Sequence, residues 1–171
     1  ATGAATVIFT ATDDCNNTSE TTATFTIQDT TDPSMDTEAS DLTVECDGSG
    51  NQSDLDGWLN SYGGASASDD CSGVTWTNDF SALSDLCGAT GAATVTFTAT
   101  DDCGHSVTTS ATFTIEDTTP PAFEPYGGSQ TVECDGNGNV EEIDAWLALV
   151  NSSTASDACG PITLEKTTTL L

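Results

Sequence analysis

Positive charge is almost absent from this chain: Lys166 is its one Lys or Arg among 171 residues, against 28 Asp and Glu. A formal charge of −27 cannot be neutralised by internal salt bridges, so the carboxylates must be solvated, screened or matched by bound cations. With no basic patch to displace phosphate counterions, nucleic acid is excluded as a partner. Long apolar runs are missing too, which excludes a membrane-spanning helix and a signal peptide within these residues; any export signal is expected outside them. Zinc-type C-x-x-C pairs are absent, so the seven cysteines read as a disulfide framework made in an oxidising, extracellular setting.

What is present is a β pattern. Only 17% of residues are charged, and Thr, Val, Phe and Ile sit in alternating runs, which separates the chain from a disordered acidic tail. The stretch "FTATDDC" occurs at Phe9–Cys15 and again at Phe97–Cys103, and the offset of 88 holds along the chain. It relates Cys15 to Cys103, Asp29 to Asp117, Cys46 to Cys134, Trp58 to Trp146 and Cys71 to Cys159. Counterparts of Cys87 would fall just off both ends, so the odd cysteine count is expected to reflect where the chain is cut. The expected organisation is a window on a longer tandem array. Residues 1–30 would be the C-terminal part of one repeat, 31–118 a complete repeat and 119–171 the N-terminal part of the next.

Period-two alternation predicts strands at Val95, Phe97 and Ala99 and at Ala111, Phe113 and Ile115, joined through the turn "DDCGHS". "DLTVEC" before Asp47 and "GVTWTND" from Gly73 supply two more. Leu55, Trp58, Leu59 and Tyr62, at i, i+3, i+4 and i+7, predict a short amphipathic helix, repeated by Ile143, Trp146, Leu147 and Val150. Ser53 and Asn139 are the expected N-caps, with Asp56 and Glu142 three residues on. Prolines in "QDTTDPSM" and "EDTTPPAF" mark the unit boundaries as semi-rigid links.

The succession "TVTFTATDDCGHSVTTSATFTIEDTTPP" resembles the closing strands and linker of hyalin-repeat-like, immunoglobulin-like modules in giant Bacteroidetes cell-surface proteins, of which the gliding adhesins are an example. The likeness covers nearly the whole chain. It implies an all-β fold of tandem immunoglobulin-like sandwich repeats of 88 residues, type IX secretion, a cell-surface location, and a role in adhesion or filament formation. It also implies O-glycosylation at Asp-Thr-Thr motifs, making Thr30 and Thr118 glycan sites.

If each unit is elongated between an entry and an exit pole, the strand directions place Cys46 and Cys87 near the exit and Cys71 and Cys103 near the entry. Joining Cys87 to Cys103 would span a strand of roughly 23 Å, whereas disulfide Cα atoms must come within about 7 Å. The expected bridges are therefore Cys46–Cys87 and Cys71–Cys103, two per repeat and about 3 kcal/mol each, with sequential pairing as the alternative. The same path gathers Asp69, Asp70, Asp101 and Asp102 with Asp29, Asp32 and Asp36 of the preceding linker; Asp117 and Asp157 hold equivalent places one period on. Hard oxygen ligands from several segments are what Ca²⁺ takes, so a structural Ca²⁺ at each junction is expected, against the alternative that these aspartates are turn formers. A second loop, "CDGNGNVEE", offers Asp135, Asn137 and Asn139 at alternate positions, or else a Gly-rich turn into the helix.

Catalysis finds little support. His105 has Asn17 at its equivalent place and lies in a turn. Adjacent aspartates do not by themselves face each other across a glycoside. Trp58 and Trp146 belong to an apolar helical stripe, Trp76 is less fixed, and the exposed Thr rows that would suit ice binding are also ordinary strand residues. The sequence thus points to a non-enzymatic extracellular filament or adhesin stalk. Its partners would be neighbouring repeats, identical chains and an unidentified surface or glycan ligand. The alternative is a carbohydrate-binding accessory module of a secreted polysaccharide-degrading enzyme.

Overall fold

The computed structural model describes residues 2–124 and 128–167. Ala1 and residues 168–171, which open and close the window read above, lie outside them. Among the described residues 38% are in strands and 15% are helical, so the chain is mostly β.

In chain order, β1 (Gly3–Thr12) and β2 (Thr18–Ile27) form an antiparallel hairpin. β3 (Ser34–Thr37), β4 (Leu42–Glu45), α1 (Gln52–Asn60), a 3₁₀ turn (Tyr62–Gly64), β5 (Ser66–Ser68) and β6 (Val74–Asn78) follow. The second long hairpin is β7 (Gly91–Asp101) and β8 (Ser106–Glu116); then come β9 (Ala122–Phe123), α2 (Val140–Asn151) and β10 (Ala155–Ser156). One four-stranded sheet runs β4-β8-β7-β6, and β3 pairs with β5 and β9 with β10 in two-stranded sheets.

Local geometry recurs at the sequence period. Ser34 faces Ser68 and Met35 faces Ala67; 88 residues on, Ala122 faces Ser156 and Phe123 faces Ala155. Trp58 Nε1 donates to the Ser40 carbonyl at 3.0 Å, and Trp146 Nε1 to that of Gly128 at 2.9 Å. Thr6 and Thr24 hydroxyls meet at 3.0 Å, those of Thr94 and Thr112 at 2.9 Å.

The chain divides into two compact units: Ala1–Leu42 with Asp56–Ser81 and Thr94–Phe113, and Thr43–Leu55 with Ala82–Ala93 and Thr114–Leu171. In the first, alternation turns Val95, Phe97, Ala99, Ala111 and Phe113 onto one buried sheet face. Trp58 of α1 covers it, with ring centroids 5.3 Å from Phe97 and 5.7 Å from Phe113. The second buries Cys46, Leu55, Ile115 and Cys159.

The start of α1 differs from expectation, whereas Asn139 occupies the N-cap position of α2 as expected. Ser53 lies inside α1, which begins at Gln52, while Asn51 precedes it as Asn139 precedes α2. Both asparagines have a positive φ, and Asn139 makes no side-chain cap bond. Their amides turn back instead: Asn51 Nδ2 donates to the Glu45 carbonyl at 2.9 Å and Asn139 Nδ2 to that of Glu133 at 2.8 Å. An asparagine tolerates the left-handed region and closes its own loop, a role that spacing alone did not distinguish from a cap.

Candidate metal centre and cysteine corners

Each Asp-Asp-Cys or Asp-Ala-Cys run is built the same way. Oδ1 of Asp13, Asp69, Asp101 and Asp157 accepts the backbone N–H two residues on, from Cys15 at 2.9 Å and from Cys71, Cys103 and Cys159 at 2.8 Å. The first aspartate thus folds a turn and presents the cysteine. The second, Asp14, Asp70 or Asp102, is exposed. Burial raises the Asp101 carboxyl, but bonds from the His105 side chain and backbone and from Cys103 outweigh it and hold it below its ordinary value. His105 is half-buried, with Nδ1 2.9 Å from Asp101 Oδ2, where Asn17 Nδ2 meets Asp13 Oδ2 at 2.8 Å. It is therefore a turn-closing partner of Asp101 rather than a solvated residue.

Asp29 stands apart. It is 6% exposed; its Oδ1 accepts from Thr31 N at 3.2 Å and Thr31 Oγ1 at 3.0 Å, while Oδ2 is buried without a hydrogen-bond partner among the described residues. Ligand atoms of Asp29, Asp101 and Cys103 all lie within 4.8 Å of one another, as do those of Asp29, Asp69 and Cys71. The same triad recurs one period on as Asp117, Asp157 and Cys159.

Of the expected metal ligands, then, Asp29 is brought together with Asp69 and with Asp101, and Asp117 with Asp157. Asp32, Asp70 and Asp102 are exposed and belong to none of these groups. Asp36 accepts from Ser68 Oγ at 3.0 Å. A buried carboxylate oxygen lacking a donor is costly, and a hard divalent cation at Asp29, with an oxygen of Asp69 or of Asp101, would answer that need. Thiol sulfur is a poor ligand for such a cation.

The expected cysteine pairing is overturned. Cys46 bonds to Cys159, 113 residues away, with Cα atoms 5.9 Å apart, and not to Cys87. Cys103 is a thiol, so the Cys71–Cys103 bridge is not formed either. Burial first, then the charges of Asp29, Asp101 and Asp102, push that thiol above its ordinary value. Cys46 finds its partner outside its own period, because the turn at Asp157–Gly160 comes from the next. Two glycines let it approach: Gly88 (φ 62) lies against the Cys159 carbonyl and Gly48 (φ 73) against that of Ala158, and a Cβ at either would collide with backbone. Ala89 N donates to Cys159 O at 2.6 Å. These glycines are functional residues that sequence reasoning missed, and their left-handed conformations are what the pattern could not reveal.

The "CDG" loops adopt the turn reading. Asp47 Oδ1 accepts from Ser49 N at 2.6 Å and Asn51 N at 3.1 Å; Asp135 Oδ1 accepts from Asn137 N at 2.7 Å and Asn139 N at 3.0 Å. Those backbone bonds hold both carboxyls below the usual range. Of the expected glycan sites, Thr30 is exposed, whereas Thr118 Oγ1 donates to Glu45 Oε2 at 2.7 Å. Trp76 stacks on Tyr62 with centroids 5.0 Å apart and planes 10° from parallel.

A scan against protein-family models and a search of the curated proteins both find no match to this chain. Among the described residues no helix is long and apolar enough to cross a membrane.

Proposed function

We propose that this chain is a structural segment of an extracellular filament or surface adhesin: tandem immunoglobulin-like units of 88 residues, covalently stapled from one period to the next and stiffened by Ca²⁺ at Asp29-type corners. The observation that carries this reading is the Cys46–Cys159 bond, which fastens a turn near the start of one sequence period to a turn of the following one. A chain under tension gains from such a staple, because the bond keeps the residues between its cysteines out of the load path. The bond removes the 113-residue separation from the load path, roughly 400 Å of extended chain at about 3.5 Å per residue. Pulling the chain by its ends should give a final length shorter by about that amount when oxidised than when reduced; equal lengths would overturn the mechanical role of the bond.

Support for Ca²⁺ comes from the buried Asp29 Oδ2, which has no hydrogen-bond partner among the described residues, and from the two groups that bring Asp29 near Asp69 and near Asp101. At about a hundredfold excess over Kd, Ca²⁺ should raise the melting temperature by about 5–10 °C. EGTA should reverse the rise and Asp29→Asn abolish it. No Ca²⁺-dependent shift in the native chain would remove calcium from the proposal while leaving the staple.

The carbohydrate-binding alternative rests on the half-buried Trp76–Tyr62 stack, since flat aromatic faces suit sugar rings. Saturable binding to a glycan array that is lost in Trp76→Ala would favour it over the stalk.

A further inference from the structure

We infer that each junction is closed by two disulfides, and that the partner of Cys87 is the cysteine equivalent to Cys103 in the following period. The inference rests on the tandem-repeat reading and extends it from one observed bridge to the whole cysteine framework.

Two cysteines mark the first corner of a period. Cys71 and Cys103 each bring their sulfur within 4.8 Å of an Asp29 oxygen, on turns folded identically by Asp69 and Asp101. That corner is rebuilt one period later around Asp117, where Asp157 and Cys159 occupy the places of Asp69 and Cys71. Here the Cys71-type member is already bonded, to Cys46.

In a chain that continues the period, the Cys103-type turn would complete this second corner, its sulfur as close to Asp117 as Cys103 is to Asp29. Asp117 lines a cleft that Cys87, Gly88, Asp157, Cys159 and Gly160 also line. Cys87 is exposed and carries a free thiol. The incoming sulfur therefore arrives in the cleft that holds a thiol without a disulfide partner. The turn that would deliver it is self-contained: Asp13 builds it around Cys15 as Asp101 does around Cys103.

Cys46 and Cys87 thus form the exit pair of a period and Cys71 and Cys103 the entry pair, joined exit to entry and never within one period. Closing the second bridge oxidises two thiols. Each gives up one proton and one electron, and a small-molecule disulfide is reduced to two thiols by exchange.

The test appends a second copy of residues 84–118 directly after Leu171, in phase with the period, and folds the extended chain in a glutathione redox buffer. Non-reducing peptide mapping should find Cys87 joined to the appended copy of Cys103, with Cys46–Cys159 retained. In the 171-residue chain, Cys87 should be alkylated by iodoacetamide in full. A Cys87–Cys46 peptide, or Cys87 alkylated as completely in the extended chain as in the original, would overturn the assignment while leaving the repeat reading in place. Absence of Cys46–Cys159 from both chains would overturn the repeat reading itself, and this inference with it.

Discussion

His105 and Asp101 illustrate how a single residue acquires a role that composition hides. The bond from Asp101 raises the His105 pKa, with burial opposing it, while the bonds made to Asp101 lower its own. The histidine contribution is fully present below its ordinary value of 6.5 and fades as pH rises through the folded value. The aspartate contribution is present above 3.8 and fades as pH falls through its lowered folded value. The turn should therefore be tightest between those two limits. NMR titration should place the His105 pKa above 6.5 and lower it in Asp101→Asn. Gly88 is the other decisive residue. Gly88→Ala would force a Cβ onto the Cys159 carbonyl at a φ of 62, costing about 1–2 kcal/mol in left-handed strain before the collision is counted. Mass spectrometry should find less Cys46–Cys159 bridge in that variant.

The two long hairpins show how an element's sequence and its environment divide the work. Both alternate Val, Phe and Ala against Thr, and both are built from strands of ten or more residues. Phe97 and Phe113 are fully buried, yet Phe9 and Phe25, their equivalents one period earlier, are 56% and 71% exposed. Alternation selects which face is apolar; it does not supply the cover. On β7 and β8 the cover is Trp58 of α1, so Trp58→Ala should destabilise the fold by about 3–5 kcal/mol in chemical denaturation. Phe9→Ala should change little by comparison. The helix itself was legible from its i, i+3, i+4 stripe, and so was the core role of Trp58. The start of α1 was not, because Asn51 and Ser53 are both common at helix starts and only the backbone geometry separates them.

For the whole molecule, the Cys46–Cys159 bridge links positions 113 apart. Closing a loop of about that length restricts the unfolded chain by roughly 4–5 kcal/mol in the chain-entropy view. Reduction, or Cys46→Ser together with Cys159→Ser, should lower the denaturation midpoint accordingly; an unchanged midpoint in calorimetry would show that the bridge constrains nothing. The net charge adds a second, separable lever. Carboxylates without basic partners repel one another, so monovalent salt should raise the melting temperature gradually, in the native chain and in Asp29→Asn alike.

The sequence by itself determined the acidic β character, the 88-residue period, the hairpin with its Asp-Asp-Cys turn and the apolar stripe of the helix. Each follows from periodicity, or from bonds between neighbours two to four residues apart. Tertiary structure alone decided that Cys46 joins Cys159 and that Asp29 and Asp101, rather than the exposed Asp32, Asp70 or Asp102, are the buried carboxylates. A disulfide needs two Cα atoms within about 7 Å, and a carboxylate loses its water only where distant segments close over it. The first condition depends on how a remote turn approaches through the space left by Gly48 and Gly88, and the second on which segments close over Asp29; no spacing along the chain encodes either.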